Sequence, residues 1–127
     1  MSEQNHHEEL VKGIAGQLKP IMDKSEQALY IYLDDTHKIC NKKFANLLGY
    51  NSAKEWADID APLADIVEED QAAVISAYEN AMEKMTASSL EVRVKNIKTG
   101  KVVKTRMIMV PIVYQGHLFA LHFLSRV

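Results

Sequence analysis

The C-terminal third of the sequence brings together residues that could meet a bound molecule. If residues 115–116 form a two-residue hairpin turn, counting back pairs Met109 with His122 and Met107 with Leu124 on one face. A histidine on such an apolar face could hydrogen-bond a small ligand or respond to pH. A core histidine bonded to a backbone group is the more frequent arrangement, and a three-residue loop with a bulge would invert the face. Both interpretations of His122 stay open.

The surroundings of Cys40, His6 and His7 in the sequence do not indicate metal binding or redox chemistry. Cys40 is the only cysteine, so it cannot form an internal disulfide, and it has no Cys/His neighbourhood of the kind that a structural zinc site needs. A redox role would require a lowered pKa from the lysines nearby, and a small core residue is the favoured interpretation. The pair His6 and His7 is short and isolated. We therefore expect no metal site.

The sequence gives little support to an enzyme. It contains no nucleophile–base arrangement, no glycine-rich phosphate loop and no paired carboxylates in an apolar setting. An isomerase of α+β type with Asp34 or Asp65 as its base is the remaining enzymatic alternative. The sequence around Asp34 favours a role in a turn over a catalytic one. We expect a protein that is not an enzyme.

Size and charge set further limits. The chain has 127 residues and a net charge of −2 with acids and bases interspersed, which predicts one domain and no nucleic-acid surface. No apolar run approaches the ~20 residues of a membrane span, and the first residues do not resemble a signal peptide. We expect a cytoplasmic protein that does not bind membranes.

The C-terminal hairpin dictates how these side chains must be positioned. Residues 102–114 and 118–124 are β-compatible and apolar without clean alternation, so both faces of the hairpin must be covered. Residues 8–22 carry a helical apolar stripe, which predicts an amphipathic helix that Pro20 should end or kink. This helix is the natural cover for one face.

The rest of the chain supplies a second cover. Strands are expected at residues 28–33, 37–40 and 90–95, with Leu29, Ile31 and Leu33 of the first strand on one face. Short helices follow Asn41 and Ser52, and a long helix follows residues 68–70. The order predicts an antiparallel α+β domain with its helices gathered on one face.

Several of these pieces together resemble a PAS domain over residues 28–126. They are the run Asn-Lys-Lys-Phe-Ala-Asn-Leu-Leu-Gly-Tyr-Asn-Ser-Ala-Lys-Glu-Trp from Asn41, the Ile66 to Asp70 entry to the long helix, the Thr99-Gly100 turn, and Val110-Pro111-Ile112 followed by Gly116. No glycine follows Asp34-Asp35, and no Asp-Ile-Thr-type linker follows the last strand, which departs from the family pattern.

The resemblance implies a five-stranded antiparallel sheet that cups a cavity, with short helices on one face and an N-terminal amphipathic helix on the other. Residues 1–25 would be this helix, acting as cap and dimerisation element, and residues 26–127 the PAS domain. His122 would stand where flavin-binding members carry a glutamine. Residues 61–67 lack the cysteine of the flavin photoreceptors, and residues 68–87 lack the histidine of haem-binding members. We therefore expect no flavin or haem, while an unidentified small ligand stays possible.

The expected function is a homodimeric sensor and protein-interaction module in signal transduction that passes a signal to a partner protein. A ligand-free dimerisation module and a fragment of a sensor histidine kinase or regulator are the alternatives. The expected cavity wall is Ile31, Leu33, Phe44, Leu48, Tyr78, Thr105, Met107, Met109 and His122. The expected dimer interface is Leu10, Ile14, Leu18, Tyr30, Tyr32, Ile108, Val110, Phe119, Leu121 and Phe123.

Overall fold

The computed structural model describes residues 3–127, with side chains described from Asn5 onward. Five antiparallel strands form one sheet in the order β2-β1-β5-β4-β3, which confirms the predicted α+β class. The elements are α1 Glu3–Lys24, β1 Ala28–Asp34, β2 His37–Cys40, α2 Lys42–Leu48, α3 Ala53–Ala57, a 3₁₀ turn Pro62–Asp65, α4 Glu68–Lys84, β3 Ser88–Lys95, β4 Val102–Tyr114 and β5 His117–Arg126.

The hairpin register is the one that the sequence predicted. Met109 lies opposite His122, and Met107 lies opposite Leu124. Gln115 and Gly116 make the turn with φ values of 49° and 78°. Two successive positive φ values are typical of the two-residue turns that match the twist of paired strands. The turn therefore fixes which side chains of β4 and β5 share a face.

Asn41 links three elements at one end of the sheet. Its Oδ1 accepts hydrogen bonds from the backbone N–H groups of Phe44 and Leu29, both at 3.0 Å. Its Nδ2 donates to the carbonyl oxygens of Met22 and Gln27 at 3.2 and 3.0 Å. Asn41 is the N-cap of α2, and it also ties the end of α1 to the start of β1. A buried amide is stable only when its polar atoms are hydrogen-bonded.

Helix α1 covers the outer face of the sheet and extends beyond the apolar stripe of residues 8–22 at both ends. It continues through Pro20 to Lys24, so Pro20 does not end it. Its apolar stripe is buried in one cluster with residues of β1 and β5, and this packing outweighs the local cost of glycine and proline. The buried members of the cluster are Leu10, Ile14, Met22, Leu29, Ile31 and Phe119.

This packing corrects the predicted orientation of β1. Ile31 and Leu33 were expected in the cavity but lie in the outer cluster beneath α1, while Tyr30 and Tyr32, expected outside, face inward. The reason is register: Tyr30 pairs with His122, and paired residues of neighbouring strands share a face. The outer face is as apolar as the inner one, so hydrophobicity alone did not distinguish them.

Asp70 is a good N-cap residue by type, but it does not occupy the N-cap position of α4. The N-cap position is Val67, and Asp70 lies within the first turn. Its carboxylate accepts hydrogen bonds from the backbone N–H of Arg93 at 2.8 Å and from the Arg93 guanidinium at 2.9 and 3.0 Å. This pair joins the start of α4 to β3.

The two glycines of α1 should respond oppositely to alanine. A Cβ at Gly16 would meet nothing within 4 Å, so Gly16→Ala should stabilise the protein by about 1 kcal/mol through helix propensity. A Cβ at Gly13 would overlap the hydroxyl of Tyr114 and come within 3.1 Å of its Cζ. Gly13→Ala should therefore not stabilise the protein, because this clash offsets the gain in helix propensity. Urea unfolding measures both free energies. Equal stabilisation by the two substitutions would contradict the placement of α1 against Tyr114.

Candidate ligand-binding cavity

A cavity of about 230 Å³ lies between the inner face of the sheet and the helices. This volume exceeds the ~150 Å³ of an apolar cavity that binds benzene. It is below the ~300–1,000 Å³ of pockets for drug-sized ligands. Its wall is formed by Tyr30, Tyr32, Asp35, Phe44, Leu48, Trp56, Ala61, Pro62, Leu63, Asp65, Ile66, Val74, Ile75, Tyr78, Val94, Met107, Met109, His122 and Leu124.

The cavity has a buried end and an exposed end. At the buried end, Trp56, Met109 and His122 are each at most 2% exposed. At the other end, Asp35 and Ile75 are exposed, and Ile75 leaves 43% of its surface in water. The turn after β1 and the outer side of α4 therefore border the mouth.

Four aromatic rings form the buried end. Tyr30 stacks on His122 with ring centroids 3.8 Å apart and planes inclined by 10°. Phe44 lies 4.7 Å from Tyr30, and Trp56 lies 5.2 Å from Tyr30 and 5.0 Å from Phe44. Together with the polarizable methionines, these rings make a wall suited to a flat or apolar molecule.

His122 is held as a neutral core histidine. Its Nδ1 is 3.1 Å from the carbonyl oxygen of Ala120, and its ring is stacked on Tyr30. Burial lowers the pKa of His122 to about 3, although hydrogen bonds to the backbone of Ala120 and Tyr30 partly oppose the shift. The geometry favours the backbone-bonded interpretation over a side chain that senses pH near neutrality.

Trp56 contributes the one buried side-chain polar atom that lacks a hydrogen-bond partner in the described part of the chain, its Nε1. Leaving a buried donor unpaired costs about 1–3 kcal/mol. The ring also lies 5.2 Å from the ammonium of Lys38, which is itself bonded to the carbonyl oxygens of Asp35, Ala57 and Ile59. Trp56 is therefore fixed at the wall with an N–H still able to donate.

Asp65, which with Asp34 was one of the two candidate bases of the enzymatic alternative, lies on the cavity wall. Its Oδ2 accepts a hydrogen bond from the hydroxyl of Tyr50 at 2.6 Å. Burial raises the pKa of Asp65, and the bond from Tyr50 opposes this. The carboxylate thus links the end of α2 to the 3₁₀ turn, which accounts for it without catalysis.

Cys40 is buried on the inner side of the sheet, as expected of a small core residue. Burial raises the pKa of its thiol to about 12. A reactive cysteine needs the opposite shift.

The predicted wall residues divide into three groups. Phe44, Leu48, Tyr78, Met107, Met109 and His122 lie on the wall. Thr105 lies on the same face of the sheet but not on the wall, and its hydroxyl donates a hydrogen bond to the carbonyl oxygen of Val92 at 2.7 Å. Ile31 and Leu33 lie on the opposite face. The sequence analysis missed Trp56 and Tyr30; pairing β1 with β5 through Tyr30 and His122 is the signal that could have placed Tyr30.

The comparisons with known proteins agree with this architecture. No protein-family model and no curated protein matches the sequence. Solved structures do. A PAS domain from Colwellia psychrerythraea is 24% identical, with a TM-score of 0.69 over 90% of this chain and 97% of that one. The chain has the PAS fold.

Two further PAS domains are similar at lower identity. One, from a two-component sensor histidine kinase, is 14% identical with a TM-score of 0.67 over 91% of this chain and 99% of that one. The other, from an HTR-like protein of Haloarcula marismortui, is 15% identical with a TM-score of 0.66 over 97% and 99%. Across residues 3–127, no helix has both the length and the apolar character needed to cross a bilayer.

The depressed pKa of His122 predicts a pH-dependent stability. In the unfolded chain this histidine takes up a proton below about pH 6.5, whereas in the folded chain it does not until about pH 3. The free energy of unfolding should therefore fall by roughly 2 kcal/mol between pH 7 and pH 5 because of this residue. Urea unfolding of the protein and of His122→Gln at both pH values isolates that contribution. An identical pH dependence in the two proteins would mean that His122 is accessible to protons when folded.

Proposed function

We propose that this PAS chain is a cytoplasmic sensor and protein-interaction module that binds a small, mostly apolar molecule and passes the signal to a partner protein. The observation that carries the proposal is the cavity, which joins an aromatic and methionine wall to an exposed mouth. The wall is mostly apolar, and its His122 and Asp65 are already bonded to Ala120 and Tyr50, which fits ligand recognition better than catalysis. The sensor histidine kinase that supplies one similar PAS domain is consistent with a signalling role.

The cavity narrows the class of ligand. Its volume of about 230 Å³ suits a single ring with a short substituent and is small for a haem or a flavin. The unpaired Nε1–H of Trp56 would favour a ligand that carries a hydrogen-bond acceptor, since pairing that donor removes the cost of leaving it buried alone. We therefore propose a monocyclic molecule with one carbonyl-type acceptor.

Acetophenone and ethylbenzene test this ligand class, because they share a ring and differ in the acceptor. The chain has one tryptophan, so the indole N–H signal in a ¹H–¹⁵N spectrum reports on Trp56 alone. Both probes should shift signals of wall residues such as Met109, and only acetophenone should move the indole proton downfield. If neither probe shifts any signal of the wall, the ligand-free dimerisation module becomes the better interpretation.

A matched pair of valine substitutions locates the binding. Val94 lies on the wall and is 2% exposed, so Val94→Phe should fill part of the cavity and abolish the shifts. Val113 is 61% exposed on β4, so Val113→Phe should leave them unchanged. Circular dichroism of both variants checks that they fold. Equal effects of the two substitutions would place the probes outside the cavity.

We further propose that the chain forms a homodimer through the part of the outer sheet face that α1 covers incompletely. Ile108 is 40% exposed and is paired with Phe123, and Val110 is paired with Leu121 on the same face. These four side chains form an apolar strip that a second copy could cover in a two-fold arrangement.

The proposed interface is smaller than the one expected from sequence. Leu10, Ile14 and Phe119 are buried within their own chain, and Leu18 packs against the same cluster. Tyr30 and Tyr32 face the cavity instead. The remaining members of the expected set are Ile108, Val110, Leu121 and Phe123.

Placing a charge in this strip should break the dimer. Ile108→Lys should shift the sedimentation coefficient from dimer to monomer, because a desolvated ammonium without a partner opposes association. Ile97→Lys is the control, since Ile97 is 48% exposed in the turn between β3 and β4. A dimer that survives Ile108→Lys, or a wild-type protein that is monomeric at all concentrations, would rule out this interface.

A further inference from the structure

Four of the chain's five histidines meet at one end of the sheet, although they are far apart in sequence. His6 and His7 come from the start of α1, His37 opens β2, and His117 opens β5. The ring of His7 lies 5.4 Å from that of His37 and 5.9 Å from that of His117, while His6 lies 5.0 Å from His117. The fold assembles this histidine cluster apart from the cavity.

A carboxylate joins two of these imidazoles. Asp34 Oδ1 is 2.6 Å from the Nδ1 of His37, and Asp34 Oδ2 is 3.1 Å from the Nδ1 of His7. One ligand atom from each of the three residues lies within 4.8 Å of the others. Two imidazoles and one carboxylate are a donor set typical of zinc and related divalent transition metals.

The surroundings hold the donors in place. His37 is 7% exposed and touches the hydroxyl of Thr36 at 3.1 Å as well as Asp34. Asp34 also accepts a hydrogen bond from the backbone N–H of Thr36 at 3.1 Å. The imidazole of His7 is supplied by α1, which is anchored by its own apolar stripe. Two donors therefore flank the hydrogen-bonded β1–β2 turn, and the third comes from a packed helix.

The distances permit metal binding after a small contraction. Ligand atoms in a tetrahedral site with bonds of ~2.0–2.1 Å lie roughly 3.3 Å apart. Because the three ligand atoms lie within 4.8 Å of one another, they need to move closer by at most about 1.5 Å. Side-chain rotation of the partly exposed His7 and Asp34 can supply this movement. A metal ion there would couple α1 to the turn that also carries Asp35 at the cavity mouth.

We propose that His7, Asp34 and His37 form a binding site for a divalent transition-metal ion of the zinc class. The site pins α1 to the sheet, and its fourth position is open to water or to another ligand. The sequence analysis expected no metal, because the spacing of these residues along the chain resembles no metal-binding motif.

Calorimetric titration of the untagged 127-residue chain with Zn²⁺ alone tests the proposal. One ion should bind per chain and raise the melting temperature, while Mg²⁺, which prefers oxygen ligands, should do neither. His7→Ala and Asp34→Asn should each weaken zinc binding about tenfold or more. Both residues are partly exposed, so we expect both variants to fold. The melting temperature of each variant without metal checks this.

His6→Ala is the matched control, because His6 is adjacent to His7 on α1 and its ring contacts His117 rather than Asp34. It should leave zinc affinity unchanged. Equal losses in His6→Ala and His7→Ala would indicate an adjacent-histidine surface site. That result, an Asp34→Asn variant with unaltered affinity, or a chain that binds no zinc would each overturn the proposal. Because none of these variants lies in the cavity wall, the outcome is independent of ligand binding there.

Discussion

The organisation of this protein follows from a sheet whose central strands are apolar on both faces. On β5 and its neighbour β1, Phe119 and Ile31 point to one side, while Leu124 and Tyr30 point to the other, and all four are buried. Burying both faces needs two separate covers, because water in contact with either would forfeit the apolar burial that stabilises the fold. Helix α1 covers the outer face, and the segment from α2 to α4 covers the inner one.

The two covers differ in how closely they pack, and this difference creates the potential for function. The buried side chains of the outer cluster are mostly aliphatic, and the close approach of Gly13 to Tyr114 brings α1 close to the strands. The inner side carries large rings, and between them and α4 a hollow of about 230 Å³ remains. Stacking of Tyr30 on a neutral His122 lets a polar side chain occupy this wall without a buried charge.

Local rules explain what was predictable from sequence. The start of α2 at Asn41 and the turn at Gln115-Gly116 depend on residues within a few positions, and both were predicted correctly. The facing of β1 was predicted wrongly, since alternation gives two sets of residues but not which set is inside when both faces are apolar. Trp56 and the histidine cluster were missed because they depend on contacts between distant segments, which neither periodicity nor motif spacing encodes.

Nuclear Overhauser contacts from the side chains of α1 test the two-cover arrangement most directly. The account predicts contacts from the methyl groups of Leu10 and Ile14 to Ile31 and to the ring of Phe119, and none to Tyr30 or His122. Contacts from these methyl groups to the Tyr30 ring, or methyl groups with no contact to the sheet, would contradict it. In either case the strands would need a different cover, and the inner hollow would lose its assigned wall.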